Sequence, residues 1–291
     1  MSLKKFFIFL MLMLFSLKAF SENKKIGVIL PNYNETFYNN LKTSLENKSK
    51  SYGFDIINLN SEDNISKEVS NVENLIMNNV DVIVVRPIDV EKSSNALKAA
   101  NLNKIPVILL ELKVENENYN SIIKFNYDNI GNQIGEYLIE ALPENKNKIA
   151  KLKFFDDENI NKKIDNDIKK ITASKIEIIS DKKIRYDDNK GINSIKDIII
   201  NHPQIDAILA YNESLASSTL KVLKAAGRSD IKVISIGSND QIERAYRNKE
   251  ISAIFIKNYN EFSNKILELS HKILNKEEYD KEINIDINLF K

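Results

Sequence analysis

IGVILPNYNETFY, residues 26 to 38, runs from an uncharged apolar stretch into a polar turn at Pro31 and then into an amphipathic segment beginning near Phe37. A short apolar run followed at once by helical periodicity predicts a buried strand feeding a loop and a helix. In an open parallel sheet that loop lies at the carboxyl end of its strand, the edge where ligands bind. The rest of the chain is therefore read by asking what else arrives at that edge.

Outward from this stretch the same unit repeats. Apolar runs at 26–30, 54–59, 80–85 and 105–110 alternate with helical segments at about 37–52, 65–78 and 91–102, and a further short run covers 121–125. Gly53 reads as a helix stop, and Asn64, with Lys67 and Glu68 behind it, as a helix start. A second series follows: helix 128–142, strand 149–155, helix 159–172, strand 175–180, helix 188–201, strand 207–210 and helix 214–226, closed by Gly227. Strand 231–236, helix 240–247, strand 251–256 and helix 260–274 complete it. Such alternation predicts an α/β chain with two parallel sheets, each covered by helices on both faces. There is no GxGxxG and no GxxxxGK[ST], so no nucleotide cofactor is expected. Two lobes facing each other across a cleft are the better reading.

Composition narrows the function. A chain of 291 residues exceeds what one core usually organises. Lys+Arg 42 against Asp+Glu 41 leaves a formal charge of +1, which gives no electrostatic reason to expect nucleic acid as a partner. The basic side chains, scattered among acidic ones, read as solvated faces. In residues 1–21, Lys4 and Lys5 precede FFIFLMLMLFSL and the stretch ends in Ala19-Phe20-Ser21, the order of a cleaved secretory signal peptide. Lys18 breaks the run before it reaches the length of a membrane anchor. Cysteine is absent and the histidines are His202 and His271 alone, which disfavours disulfides, zinc chemistry and Cys/His catalysis. A protein exported to a periplasm is expected.

The order IGVILPNYNETFYNNLKTSLENKSKSYGFDI, VENLIMNNVDVIVVRPID, NKIPVILLE, DNIGNQIGEYL, HPQIDAILAYNESLASSTLKVLKAAGRSDIKVISIG resembles the periplasmic sugar-binding proteins of the ribose/galactose-binding type, the substrate-capturing components of ABC importers. The resemblance covers essentially the whole chain after the signal peptide. It implies a type I periplasmic binding protein fold of two Rossmann-like lobes. The first would hold 23–125 plus 258–284 and the second 126–257 plus 285–291, with three crossings forming a hinge. It also implies a monomer that binds a small sugar-like solute in the cleft and presents it to a membrane permease, or else to a chemoreceptor. Repressors that share these lobes carry an N-terminal helix-turn-helix where this chain has a signal peptide, so DNA binding is disfavoured.

By position in that family, Phe37 and Tyr38 match the aromatic pair that packs on a sugar ring, Tyr186 a further ring, and Asn212 a cleft asparagine with donor and acceptor for a hydroxyl. Other matching positions depart from the family's pattern. Glu35 stands where Asn or Asp is usual, Arg86 where Asn is usual, and Glu111-Leu112 where an Asp-Arg pair is common. Gly237 replaces an Asp, Lys257 replaces an amide, and Lys162 is the nearest basic residue to the second lobe's Arg. Two readings stay open: Glu35, Arg86, Glu111 and Lys257 recognise a charged solute, or Glu35, Arg86 and Glu111 satisfy one another; the preferred arrangement pairs Arg86 partly with Glu111 while it still lines the cleft. The carboxylates Asp156, Asp157 and Glu158 follow a strand end, where a cation site is weighed against a solvated acidic loop; the loop is preferred, and no metal is expected. A hydrolase on the same lobes is disfavoured, because no nucleophile sits beside a base and Glu35 and Glu111 arise from one lobe.

Overall fold

A computed structural model describes residues 23–33, 35–143, 147–154, 158–184 and 191–290. The expected signal peptide, Tyr186, Asp156 and Asp157 lie outside the described residues. The first series comprises β1 (Lys24–Leu30), α1 (Thr36–Ser49), β2 (Phe54–Asn60), α2 (Ile65–Met77), β3 (Val82–Val85), α3 (Ser94–Leu102), β4 (Val107–Leu110) and β5 (Ser121–Asn126). The second comprises α4 (Ile130–Ala141), β6 (Lys148–Phe154), α5 (Glu158–Thr172), β7 (Glu177–Ile184), α6 (Ile192–Asn201), β8 (Ala207–Ala210), α7 (Glu213–Ala226), β9 (Lys232–Ile236), α8 (Asp240–Arg247) and β10 (Ala253–Ile256). The chain ends with α9 (Tyr259–Leu274), β11 (Glu282–Asp286) and β12 (Asn288–Leu289).

Two six-stranded sheets result, ordered β11-β5-β4-β3-β1-β2 and β12-β10-β9-β8-β6-β7. Their pairings are parallel except that of β10 with β12. The chain thus leaves the first sheet after β5, returns to pack α9 on α1, adds β11, and ends on the second sheet. The short terminal strands carry no strong apolar run, and they are the elements that the sequence pattern misses.

Burial explains why uncharged runs became central strands. Val82, Val84, Ile108 and Leu110 face one helix layer, while Ile83, Val85, Val107 and Leu109 face the other. Both faces of each strand are covered, so alternation disappears from the sequence. Local signals fix the helix ends: the Asn64 side chain accepts from Lys67 N–H at 3.0 Å, and Gly227 closes α7 at φ 66°. Between α4 and α5 the approach is closer than ordinary helix packing allows. A Cβ at Gly131 would lie 2.5 Å from Asp167 Cβ and 2.7 Å from the Ile164 carbonyl oxygen, and one at Gly135 would lie 3.0 Å from Ile171.

One expectation is overturned. Lys151 and Lys153, on alternate positions of β6, are not on a solvated face; they are 7% and 4% exposed. Asp165 of α5 lies 2.6 Å from Lys151 and 2.7 Å from Lys153, and Asp181 of β7 lies 3.0 and 2.7 Å from the same pair. Tyr211, buried after β8, donates to Asp165 at 2.5 Å. The Asp181 pairing also accounts for β7 extending past residue 180 to Ile184, since a charged edge strand gains partners there. Burial alone would raise the Asp165 carboxyl, but hydrogen bonds from Lys151, Lys153 and Tyr211 outweigh it and hold the group below the ordinary aspartate range. A carboxyl held low contributes stability that is present above its unfolded value and is lost as pH falls through its folded one. Asp165→Asn, which leaves two buried lysines short of a partner, should therefore cost about 3 kcal/mol at neutral pH and flatten the acid limb of the stability curve. Urea denaturation at a series of pH values checks this; unchanged midpoints would show the cluster to be energetically idle.

Candidate functional site

Parallel strands put their carboxyl ends on one edge, and the two edges face each other around a cavity of about 820 Å³. From the first lobe it is lined by Glu35 after β1, Asp63 after β2, Arg86 after β3, Glu111 after β4, and Phe125 and Tyr127 at and beyond the end of β5. From the second it is lined by Ile160, Asn161 and Ile164 of α5, Tyr211 to Ser214 after β8, and Lys257 after β10. Backbone bonds carry the ladders one residue past the strands. Arg86 N–H donates to Ile29, Glu111 N–H to Ile123, Tyr211 N–H to Leu152 and Gly237 N–H to Phe255, at 2.7 to 3.0 Å. The residues that leave each strand are held as firmly as the strand itself.

Seven of the expected site residues, Glu35, Phe37, Tyr38, Arg86, Glu111, Asn212 and Lys257, line this cavity. Lys162 is exposed and does not. Phe37 meets Tyr38, Phe125 and Phe262 edge-on with ring centroids 5.4 to 5.8 Å apart, while Tyr38 is buried in the core at its side. Asn212 caps α7 by accepting from Leu215 N–H at 2.9 Å, which leaves its amide N–H₂ and the second lone pair of its oxygen for the cleft. Glu111 adopts a left-handed backbone at φ 61°, a cost of about 1–2 kcal/mol for a side-chain-bearing residue. Its Oε1 accepts from Phe125 N–H at 3.1 Å, which fixes that conformation and ties β4 to the crossing after β5.

The cations are held by their surroundings. Arg86 donates from Nη1 to the Pro87 carbonyl at 2.8 Å and acts electrostatically on Glu68, which is wholly buried behind it. Burial raises the Glu68 carboxyl, even though a hydrogen bond from Ser93, another from Ile88 N–H and the Arg86 charge all pull the other way. Lys257 Nζ stands 5.3 Å from the Tyr127 ring centre and 5.9 Å from that of Phe125, so two chain crossings meet through a cation over aromatic faces.

Sequence reasoning missed Glu68, Tyr211 and Glu213. A glutamate in the first turn of a helix reads as a solvated partner of the helix dipole, which hides Glu68 and Glu213 alike. The apolar wall formed by Ile160 and Ile164 was hidden because α5 is rich in charge; only its period marks these as inward positions. His202 ends α6 and His271 lies exposed on α9, neither at the cavity. Among the described residues no helix is long and apolar enough to cross a membrane, and no cluster of His, Cys, Asp and Glu could hold a metal.

This geometry has relatives. The ribose import binding protein of Salmonella typhimurium is 24% identical over 91% of this chain and 89% of its own length. That of Bacillus subtilis is 25% identical over 80% of this chain and 77% of its own. Among solved structures, a periplasmic solute-binding protein of an ABC transporter from Actinobacillus succinogenes with bound D-allose superposes with a TM-score of 0.83 at 19% identity, over 92% of this chain and 97% of that one. The myo-inositol binding protein of Caulobacter, bound to myo-inositol, gives 0.81 at 15% identity, over 94% and 95%. The model of the family described as periplasmic binding protein domain matches residues 26–278, and with that span, the two sheets and the cleft between them, the chain belongs to the periplasmic binding proteins.

Proposed function

We propose that the chain is the exported, solute-capturing component of an ABC importer and holds a monosaccharide or related polyol between its lobes. The observation that carries this is the cavity itself: aromatic and apolar groups of both lobes, Phe37, Tyr127, Ile160 and Tyr211, surround polar groups that arrive at fixed strand ends. Apolar faces suit the C–H face of a sugar ring, and fixed donors and acceptors suit its hydroxyls. The names of the relatives, which import ribose, and of the neighbours, which hold D-allose and myo-inositol, support the solute class. The family is one of binding proteins, and no chemistry on the solute is assigned to the cleft.

In this reading Glu35, Phe37, Tyr38, Arg86, Glu111, Asn212, Lys257 and Tyr186 form the ligand set. The lobes are taken as 23–125 plus 258–284 and 126–257 plus 285–291, hinged at the crossings of a monomer. Delivery to a sensory receptor is the second reading. It is favoured by the resemblance to the fructose-binding periplasmic domain of a hybrid two-component system, with a TM-score of 0.78 at 20% identity over 92% of this chain and 90% of that one.

Calorimetric titration with D-ribose, D-allose and myo-inositol should find a binder, and Phe37→Leu, which keeps apolar volume against Phe125 and Phe262 but removes the ring, should weaken it at least tenfold, or about 1.4 kcal/mol. Equal affinity in the variant would remove Phe37 from the ligand set. Because closure on a ligand is a population shift toward the form that contacts it from both sides, the radius of gyration measured by solution scattering should fall at saturation. A constant radius would leave no role for the hinge.

A further inference from the structure

The first residue of α7 places a carboxylate where two lobes and three strand ends converge. Glu213 lies across from Gly237, which follows β9 with φ 105°; a Cβ there would sit 2.7 Å from Glu213 Oε2. The carboxylate therefore fills the space that a side chain at 237 would take, and the glycine is what admits it. From the first lobe the Thr36 hydroxyl donates toward it, and Lys257 supplies the positive charge beside it. Burial raises the Glu213 carboxyl above the ordinary range, against its own backbone N–H, Lys257 and Thr36. It lines the same cavity as Phe37 and Asn212.

We propose that Glu213 is the specificity-determining residue of the cleft, an acceptor that favours solutes presenting hydroxyl or ammonium donors and excludes solutes that carry a negative charge. This rests on the reading that the cleft holds a sugar or polyol. The oxygens of Glu213 that take the Thr36 hydroxyl and its own backbone N–H serve as acceptors, so a ligand carboxylate set against them meets repulsion without compensation. Nearby cations do not reverse that preference. Lys257 acts electrostatically on Glu213 and stands over the rings of Tyr127 and Phe125, while Arg86 donates to the Pro87 carbonyl and acts electrostatically on Glu68. Acidic side chains, Glu35, Asp63, Glu111 and Glu213, outnumber the basic ones, Arg86, Lys221 and Lys257, in the lining, four to three.

The test is calorimetry at neutral pH with D-ribose, D-allose, myo-inositol, D-galactosamine and D-galacturonate on wild type, Glu213→Gln and Thr36→Val. Wild type should bind at least one neutral or amino probe at least a hundredfold more tightly than D-galacturonate. Glu213→Gln should narrow that ratio at least tenfold, whereas Thr36→Val, which removes only the contact from the facing lobe, should weaken every probe alike. A neutral probe bound with an unchanged ratio in Glu213→Gln overturns the role of Glu213 and leaves the sugar reading standing. D-Galacturonate as the tightest probe of wild type overturns it as well. Binding of none of the neutral or amino probes overturns the sugar reading and this inference together. Should Glu213→Gln not fold, Glu213→Asp, with the carboxylate withdrawn by one methylene, must weaken the best neutral probe at least tenfold; equal affinity there also overturns the proposal.

Discussion

Because nearly every strand pair in both sheets is parallel, most strands return through a helix before the next begins, and the carboxyl ends of the parallel strands in each sheet gather on one side. Everything chemical in the molecule follows from that geometric constraint. A residue one or two places beyond an apolar run is delivered to the cleft whatever its type. The backbone bonds of Arg86, Glu111, Tyr211 and Gly237 to neighbouring strands keep those positions as rigid as the sheet. Function can then be changed by substituting side chains at strand ends without disturbing the core.

The lobes meet the cost of buried polar groups in different ways. In the first, carboxylates take backbone N–H groups: Glu111 that of Phe125 and Glu68 that of Ile88. The second sinks two lysines beneath its cleft wall and neutralises them with Asp165 and Asp181. Tyr211 belongs to both the wall and the cluster, so its ring is held at the cavity by a hydrogen bond made on the far side. A purely apolar core at that point would give the ring no fixed orientation.

The layout of elements was legible because strands buried on both faces are uncharged and short, whereas helices keep a period and capping residues such as Asn64 and Asn212. Less legible were positions where tertiary context reverses a local rule. Lys151 and Lys153 look like solvent-facing positions of a polar strand, and nothing nearby in sequence announces Asp165 and Asp181 as their partners. Glu213 looks like an ordinary first-turn acid, and what buries it is an absent side chain at Gly237, more than twenty positions away. The same logic bears on Asn212, whose carbonyl gives one of its lone pairs to the helix that begins beside it. β11 and β12 escaped notice because pairing with an existing sheet edge asks little of their own sequence.

Gly131 and Gly135 have a mechanical meaning. α4 is the first element after the crossing at β5, and these glycines let it seat directly against the backbone of α5, where an added methyl group would collide. α5 carries Ile160, Asn161 and Ile164, which form one wall of the cavity. Because the two helices pack so closely at these glycines, a displacement of α4 would carry α5 with it, and with α5 that wall of the cavity.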